Sequence, residues 1–164
     1  MNINDLIKTY VNETDKVLDI GCGDKRRSSD LICKEVVTLD AWDKTRPDVL
    51  LDLEINDLPF PEQSFDVVLI IDFIEHLDKE RGRIILEQAK RVTKRVVIIL
   101  TPLWWQDNAE NVNNPELWCY NNEYDYHKSL WKVDDFTGWE RINGLKGLAN
   151  YFVGVYKNKG VNNV

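Results

Sequence analysis

Five short, β-branched apolar runs constrain this chain more than any other feature. They are KVLDI at 16–20, EVVTLD at 35–40, DVLLD at 48–52, FDVVLIID at 65–72 and RVVIILT at 95–101. Each is nearly continuous in apolar character, as strands covered on both faces of a parallel sheet are. Between the fourth and fifth runs, Leu77, Ile84, Ile85, Ala89 and Val92 recur at helical spacing. Lys79, Arg81, Arg83, Lys90, Arg91 and Lys94 lie mostly between them, so the segment 75–94 predicts an amphipathic crossover helix. Strand, helix and strand in repetition predict an α/β fold with a right-handed, doubly wound sheet.

A chain of 164 residues favours a single domain over 1–164. Within it, 1–102 carries the apolar runs, 103–138 changes texture, and 139–158 predicts a terminal β-hairpin, antiparallel at the sheet's edge. The middle stretch is tryptophan- and asparagine-rich: five of the six tryptophans fall at 104–139, with seven acidic residues against two lysines. It predicts a loop-and-helix insertion on the substrate side, with VDDFTGW as a short helix. Trp104, Trp105, Trp118, Tyr120, Tyr124 and Trp131 are candidates to stack on a sugar or ring, although most are expected as core beneath the insertion. Tyr151, Phe152 and Val153 are expected in the sheet core, and the closing GVNNV is expected to fray.

Charge narrows the function. With 28 Asp and Glu against 21 Lys and Arg, the net charge of −7 excludes a general basic field for nucleic acid or anionic membrane. No run approaches the ~20 apolar residues of a membrane span. The opening MNINDLIKTYVNETDK lacks the apolar core of a signal peptide. Cys22, Cys33 and Cys119 form no CxxC pair and fit reduced thiols in a cytoplasmic protein.

The sharpest motif is VLDIGCGDKR at 17–26, a strand ending in Asp19 followed by Gly21 and Gly23. Open parallel sheets bind ligands at the carboxyl ends of their strands, where glycines let backbone approach a ligand closely. Asp40 closes the second run, 21 residues after Asp19, where a carboxylate can accept both hydroxyls of a ribose. Asp52 follows the third run, placed to accept from an adenine amino group.

At these residues the chain resembles the class I S-adenosylmethionine-dependent methyltransferases, over about 15–102 and more weakly to the end. The Asp-x-Gly-x-Gly turn, the acidic end of the second strand, Asp52-Leu53, FDVVLIIDFIEHL and VVIILTP occur in the family's order. The resemblance implies a Rossmann-like, seven-stranded sheet with the last strand pair antiparallel, and S-adenosylmethionine as cofactor. It places Gly21, Cys22 and Gly23 at the methionine part, Asp19 at its amine, Asp40 at the ribose, and Asp52 with Leu53 at the adenine. Lys25 stands where many members carry a third glycine. A nicotinamide-dependent dehydrogenase is disfavoured, because its fingerprint needs Gly or Ala where this chain has Arg26.

Methyl transfer to a hydroxyl needs the proton removed, by a base or by a metal that lowers its pKa. Asp72 and His127 are the catalytic candidates. Were a helix to start near Asp72, Asp72, Glu75 and His76 would share one face, with His127 as a distant fourth ligand for Mg²⁺ or Mn²⁺. This looks like the metal site of ubiquinone-pathway O-methyltransferases and small-RNA 2′-O-methyltransferases, except that Asp72 stands where those carry Glu. Glu-His-Leu at this place is common in the wider family without metal, so a positioning role is favoured over a divalent ion. The basic residues of 79–95 read as a solvated face.

The implied activity is O- or N-methylation of a small-molecule or glycan-like acceptor. The alternatives are a metal-assisted ribose 2′-O-methyltransferase acting on RNA, which the acidic insertion disfavours, and a catalytically silent partner subunit.

Overall fold

The computed structural model describes residues 1–158, and the expectation of a frayed GVNNV lies outside them. Seven strands form one sheet: β1 (Lys16–Ile20), β2 (Glu35–Asp40), β3 (Val49–Leu50), β4 (Phe65–Ile71), β5 (Thr93–Pro102), β6 (Glu140–Arg141) and β7 (Tyr151–Lys157). Their order across the sheet is β3-β2-β1-β4-β5-β7-β6. All pairs are parallel except those of β7, which runs antiparallel to both β5 and β6. The α/β class and the antiparallel closing strands are as the sequence implies, with β7 inserted inside the edge strand β6.

Alternation along each central strand divides two apolar layers. Leu18, Ile20, Val68, Ile70, Val97 and Ile99 face one layer; Val17, Val67, Leu69, Ile71, Ile98 and Leu100 face the other. The first layer is covered by helix α2 (Lys79–Val92), which buries Gly82, Ile85, Leu86, Ala89 and Val92. Ile84, placed in the apolar stripe by its spacing, is instead 47% exposed on the outer side. The second layer is covered by helix α1 (Ile3–Tyr10), whose Ile3, Leu6 and Ile7 are buried. Asn2 and Asp5 start α1 with reciprocal caps: Asp5 N–H donates to Asn2 at 3.0 Å and Asn2 N–H to Asp5 at 2.9 Å.

Only the β4–β5 crossover carries a long helix. The β1–β2 connection, GCGDKRRSSDLICK, has no apolar stripe and stays in turns, and the 48–52 run pairs over Val49–Leu50 alone. The basic residues of α2 are struts more than a solvated face. Lys79 and Arg83 hold Asp135 at 2.6 and 3.2 Å, and Arg81 donates to the Leu53 carbonyl at 2.6 Å.

The insertion is anchored at its far end. Trp131 is fully buried against α2, where a Cβ at Gly82 would lie 2.6 Å from its ring. The VDDFTGW helix is a single 3₁₀ turn, Val133–Phe136, with Phe136 stacked on Phe152 at 3.9 Å. The nearer part corrects the expectation of a buried aromatic core: Trp104, Trp105, Trp118, Tyr120 and Tyr124 are 37–55% exposed. That part holds only one α-helical turn, α3 (Ala109–Val112), and it offers no second apolar layer to bury them.

Candidate functional site

The glycine turn hangs from β2, with the N–H groups of Gly21 and Cys22 donating to the Leu39 carbonyl at 2.8 and 3.1 Å. Gly21 and Gly23 have φ of 67° and 50°, a region that side chains disfavour. Asp40 locks the turn: Gly23 N–H donates to one carboxylate oxygen and Trp42 N–H to the other, both at 2.9 Å. Burial raises the Asp40 pKa, and those backbone donors oppose the rise. Asp19 is buried beside the turn, with the Ser28 hydroxyl donating to it at 2.5 Å, and burial pushes its pKa up to about 6. The close approach that the glycines allow is used by rings. A Cβ at Gly21 would lie 2.1 Å from Phe73, and one at Gly23 would lie 2.8 Å from Trp118.

Opposite this turn, the end of β4 and the insertion meet. Asp72 takes a left-handed φ of 51°, and Ile74–His76 forms one 3₁₀ turn, so no helix starts at Asp72. The expected shared face of Asp72, Glu75 and His76 is therefore absent. Asp72 instead faces Arg27 at 3.5 Å. Glu75 is buried, takes the Thr101 hydroxyl at 2.9 Å, and has its pKa raised well above the usual range by burial and then by the Asp72 charge. Its backbone carbonyl accepts from Lys128 and Ser129 N–H at 2.8 and 3.1 Å, which lays the insertion strand against β4's exit.

That pairing carries His127 to His76, with ring centroids 4.8 Å apart and edge to face. Burial, followed by the neighbouring His127, lowers the His76 pKa to about 4, and burial also lowers that of His127. Both shifts favour the neutral imidazole. Asp125, pushed up to about 6 by burial, stands 3.9 Å from His76, so the two form no ion pair at neutral pH. Asn108 fixes Asp125 by donating to its carboxylate and its carbonyl, each at 2.8 Å.

Both groups line one cavity of about 380 Å³. Of the expected residues, Asp19, Gly21, Cys22, Gly23, Asp40, Asp72, Glu75, His76 and His127 are on its wall. Asp52 and Leu53 are not. Asp52 caps its own turn by accepting from Glu54 N–H at 2.8 Å, and Leu53 is buried in the core. Glu75, His76 and His127 bring one donor atom each within 4.8 Å of one another, and Asp72 is outside that group.

Residues 18–100 match the family model described as a methyltransferase domain. The chain belongs to that family, the class I S-adenosylmethionine-dependent methyltransferases.

Solved structures agree in fold. An S-adenosylmethionine-dependent methyltransferase of Methanosarcina mazei superposes with a TM-score of 0.63 at 16% identity, over 96% of this chain and 99% of that one. A protein of Pyrococcus horikoshii gives 0.62 at 18% identity, over 96% and 88%. A Haloferax volcanii complex between a methyltransferase and its activator gives 0.60 at 16%, over 90% and 84%. Among curated proteins, none matches the sequence.

The cavity wall also contains Arg27, Asn108, Asn122 and Asp125, which the sequence did not single out. Asp125 had a usable signal in its place two residues before His127. Arg27 had one in its place four residues after Gly23. Asn108 and Asn122 had none, because they act through turns whose geometry is not periodic.

Proposed function

We propose that the chain transfers the methyl group of S-adenosylmethionine to a hydroxyl or amine of a small-molecule or glycan-like acceptor. The observation that carries this reading is the single cavity that joins the glycine turn and its carboxylates to a pair of neutral imidazoles. A cavity of about 380 Å³ suits a ligand of nucleoside size with an acceptor group beside it. The residues present fit the cofactor: Asp40 sits on the turn with lone pairs left for ribose hydroxyls, and Asp19 faces the cavity for an ammonium. The cofactor supplies a methyl group on a positively charged sulfur, open to in-line displacement.

His127 then acts on the acceptor. Its neutral imidazole takes the proton that the attacking oxygen or nitrogen gives up, and His76 and Glu75 hold it against the cavity. Positioning supplies much of the remaining rate, since alignment of two reactants removes several kcal/mol of barrier. Cys22, Cys33 and Cys119 are free thiols. No helix among the described residues is long and apolar enough to cross a membrane.

One observation favours a second reading, metal-assisted methylation of a ribose hydroxyl. Two imidazoles and the Glu75 carboxyl group, which would give up its proton to bind, lie within 4.8 Å and form a donor set that suits a first-row divalent ion. In that case Glu75, His76 and His127 would hold the ion, and it would lower the pKa of the acceptor hydroxyl. The test is methyl transfer from labelled S-adenosylmethionine to a panel of phenols, amines, sugars and short RNAs, with and without chelator. Turnover of a small acceptor that survives chelation supports the first reading. Turnover of RNA that chelation abolishes replaces it with the second.

A further inference from the structure

Among the described residues, Arg27 Nε is the buried side-chain polar atom left without a hydrogen-bond partner. The rest of the guanidinium is only partly engaged. Nη1 donates to Asn4 on α1 at 3.0 Å, and Nη2 lies 3.5 Å from Asp72. A charge-assisted N–H···O bond is about 2.7–2.9 Å, so the Asp72 pairing is loose. Of five donors in the fork, one is well used. The side chain keeps 22% of its surface exposed, and it lines the cavity. A planar cation with idle donors at a cavity wall matches a planar carboxylate.

The neighbouring wall supplies the opposite charge. Ser28, the next residue, donates to one oxygen of Asp19, and the other oxygen has no side-chain donor. One short segment thus presents a guanidinium and fixes a carboxylate beside it. An α-amino acid carries the complementary pair, ammonium and carboxylate, on a single carbon. Arg26 shares the wall but is a weaker match: its side chain is 56% exposed and lies 3.7 Å from Asp24.

We infer that Arg27 is the receptor for the α-carboxylate at the amino-acid end of the cofactor, acting with Asp19, which takes the ammonium. This rests on the cofactor assignment above. When the carboxylate docks, the guanidinium exchanges its long Asp72 contact for short bonds to the ligand.

The test is calorimetry on the full chain with S-adenosylhomocysteine and with its decarboxylated analogue, which keeps the amine. The wild type is expected to prefer the carboxylate-bearing ligand by about tenfold or more, as hydrogen bonds between charged groups do. Arg27→Met is expected to erase that preference while leaving the affinity for the decarboxylated ligand within about twofold, because only the charged partner is lost. Arg27→Lys keeps the charge without the fork and is expected to recover part of the preference. It also serves as the probe should the methionine variant fail to fold. An Arg27→Met protein that weakens both ligands equally, or that keeps the full preference, overturns the inference. A wild type that binds neither ligand overturns the cofactor assignment itself, and this inference with it.

Discussion

The two walls of the cavity are built by different physics. The glycine-turn wall stands on strand ends: Asp40 is held by two backbone N–H groups, and the turn is hung from the Leu39 carbonyl. The opposite wall is a loop segment held by paired contacts outside any strand, Lys128 and Ser129 N–H on the Glu75 carbonyl and Asn108 on both the carboxylate and the carbonyl of Asp125. Asp40 and Asp19 on the first wall are positioned by bonds within the fold, from the Gly23 and Trp42 N–H groups and from the Ser28 hydroxyl. The second wall combines half-exposed rings with loop backbone and side-chain bonds. If the two walls serve separate steps as proposed, binding and turnover should separate by substitution.

The largest effect should fall on turnover. His127→Ala should lower methyl transfer by about 10²–10⁴-fold, the usual contribution of a positioned base. Affinity for S-adenosylhomocysteine should stay nearly unchanged in that variant. If calorimetry shows cofactor binding collapsing as well, His127 belongs to the first wall and the division fails.

Next is Gly21→Ala. Its Cβ would lie 2.1 Å from the Phe73 ring at a φ of 67°. The expected loss of about 3 kcal/mol combines steric overlap with backbone strain. Thermal unfolding measures it, and a melting temperature equal to wild type would show that the turn is looser than described.

Asp40→Ala should weaken S-adenosylhomocysteine binding by about 1–3 kcal/mol, through lost ribose hydrogen bonds and a turn left uncapped. Unchanged affinity in calorimetry would remove the end of β2 from the cofactor site.

The smallest effect is in pH. Burial pushes the Asp19 pKa up from 3.8 to about 6. The neutral acid therefore contributes stability to the fold below about pH 4, and that contribution is lost as pH rises through about 6. An ammonium ligand needs the anion, so affinity should rise by roughly tenfold from pH 5 to pH 7. Asp19→Asn should flatten this rise. An unflattened profile would assign it to another acid, of which Asp125 is the nearest in pKa.

The sequence showed the first wall far better than the second. Apolar continuity placed β1, β2, β4 and β5, and the spacing of Asp19, Gly21, Gly23 and Asp40 needed only strand ends in register. Asp52 followed the same logic; in the structure its carboxylate accepts from Glu54 N–H and lies off the cavity wall, a local cap that strand-end position does not foretell. The helix α1 was missed although Asn2 and Asp5 form a capping box ahead of Ile3, Leu6 and Ile7. Asp72 was placed on a helical face, whereas its left-handed backbone turns it toward Arg27. In the insertion, a run of Asn and Trp gives no period from which burial could be read.

The most direct test of the account is calorimetric titration of the wild type with S-adenosylhomocysteine and, separately, with NADH. Binding of the first is expected in about the micromolar range, near −8 kcal/mol, and none of the second. Binding of NADH, or of neither ligand, would contradict it.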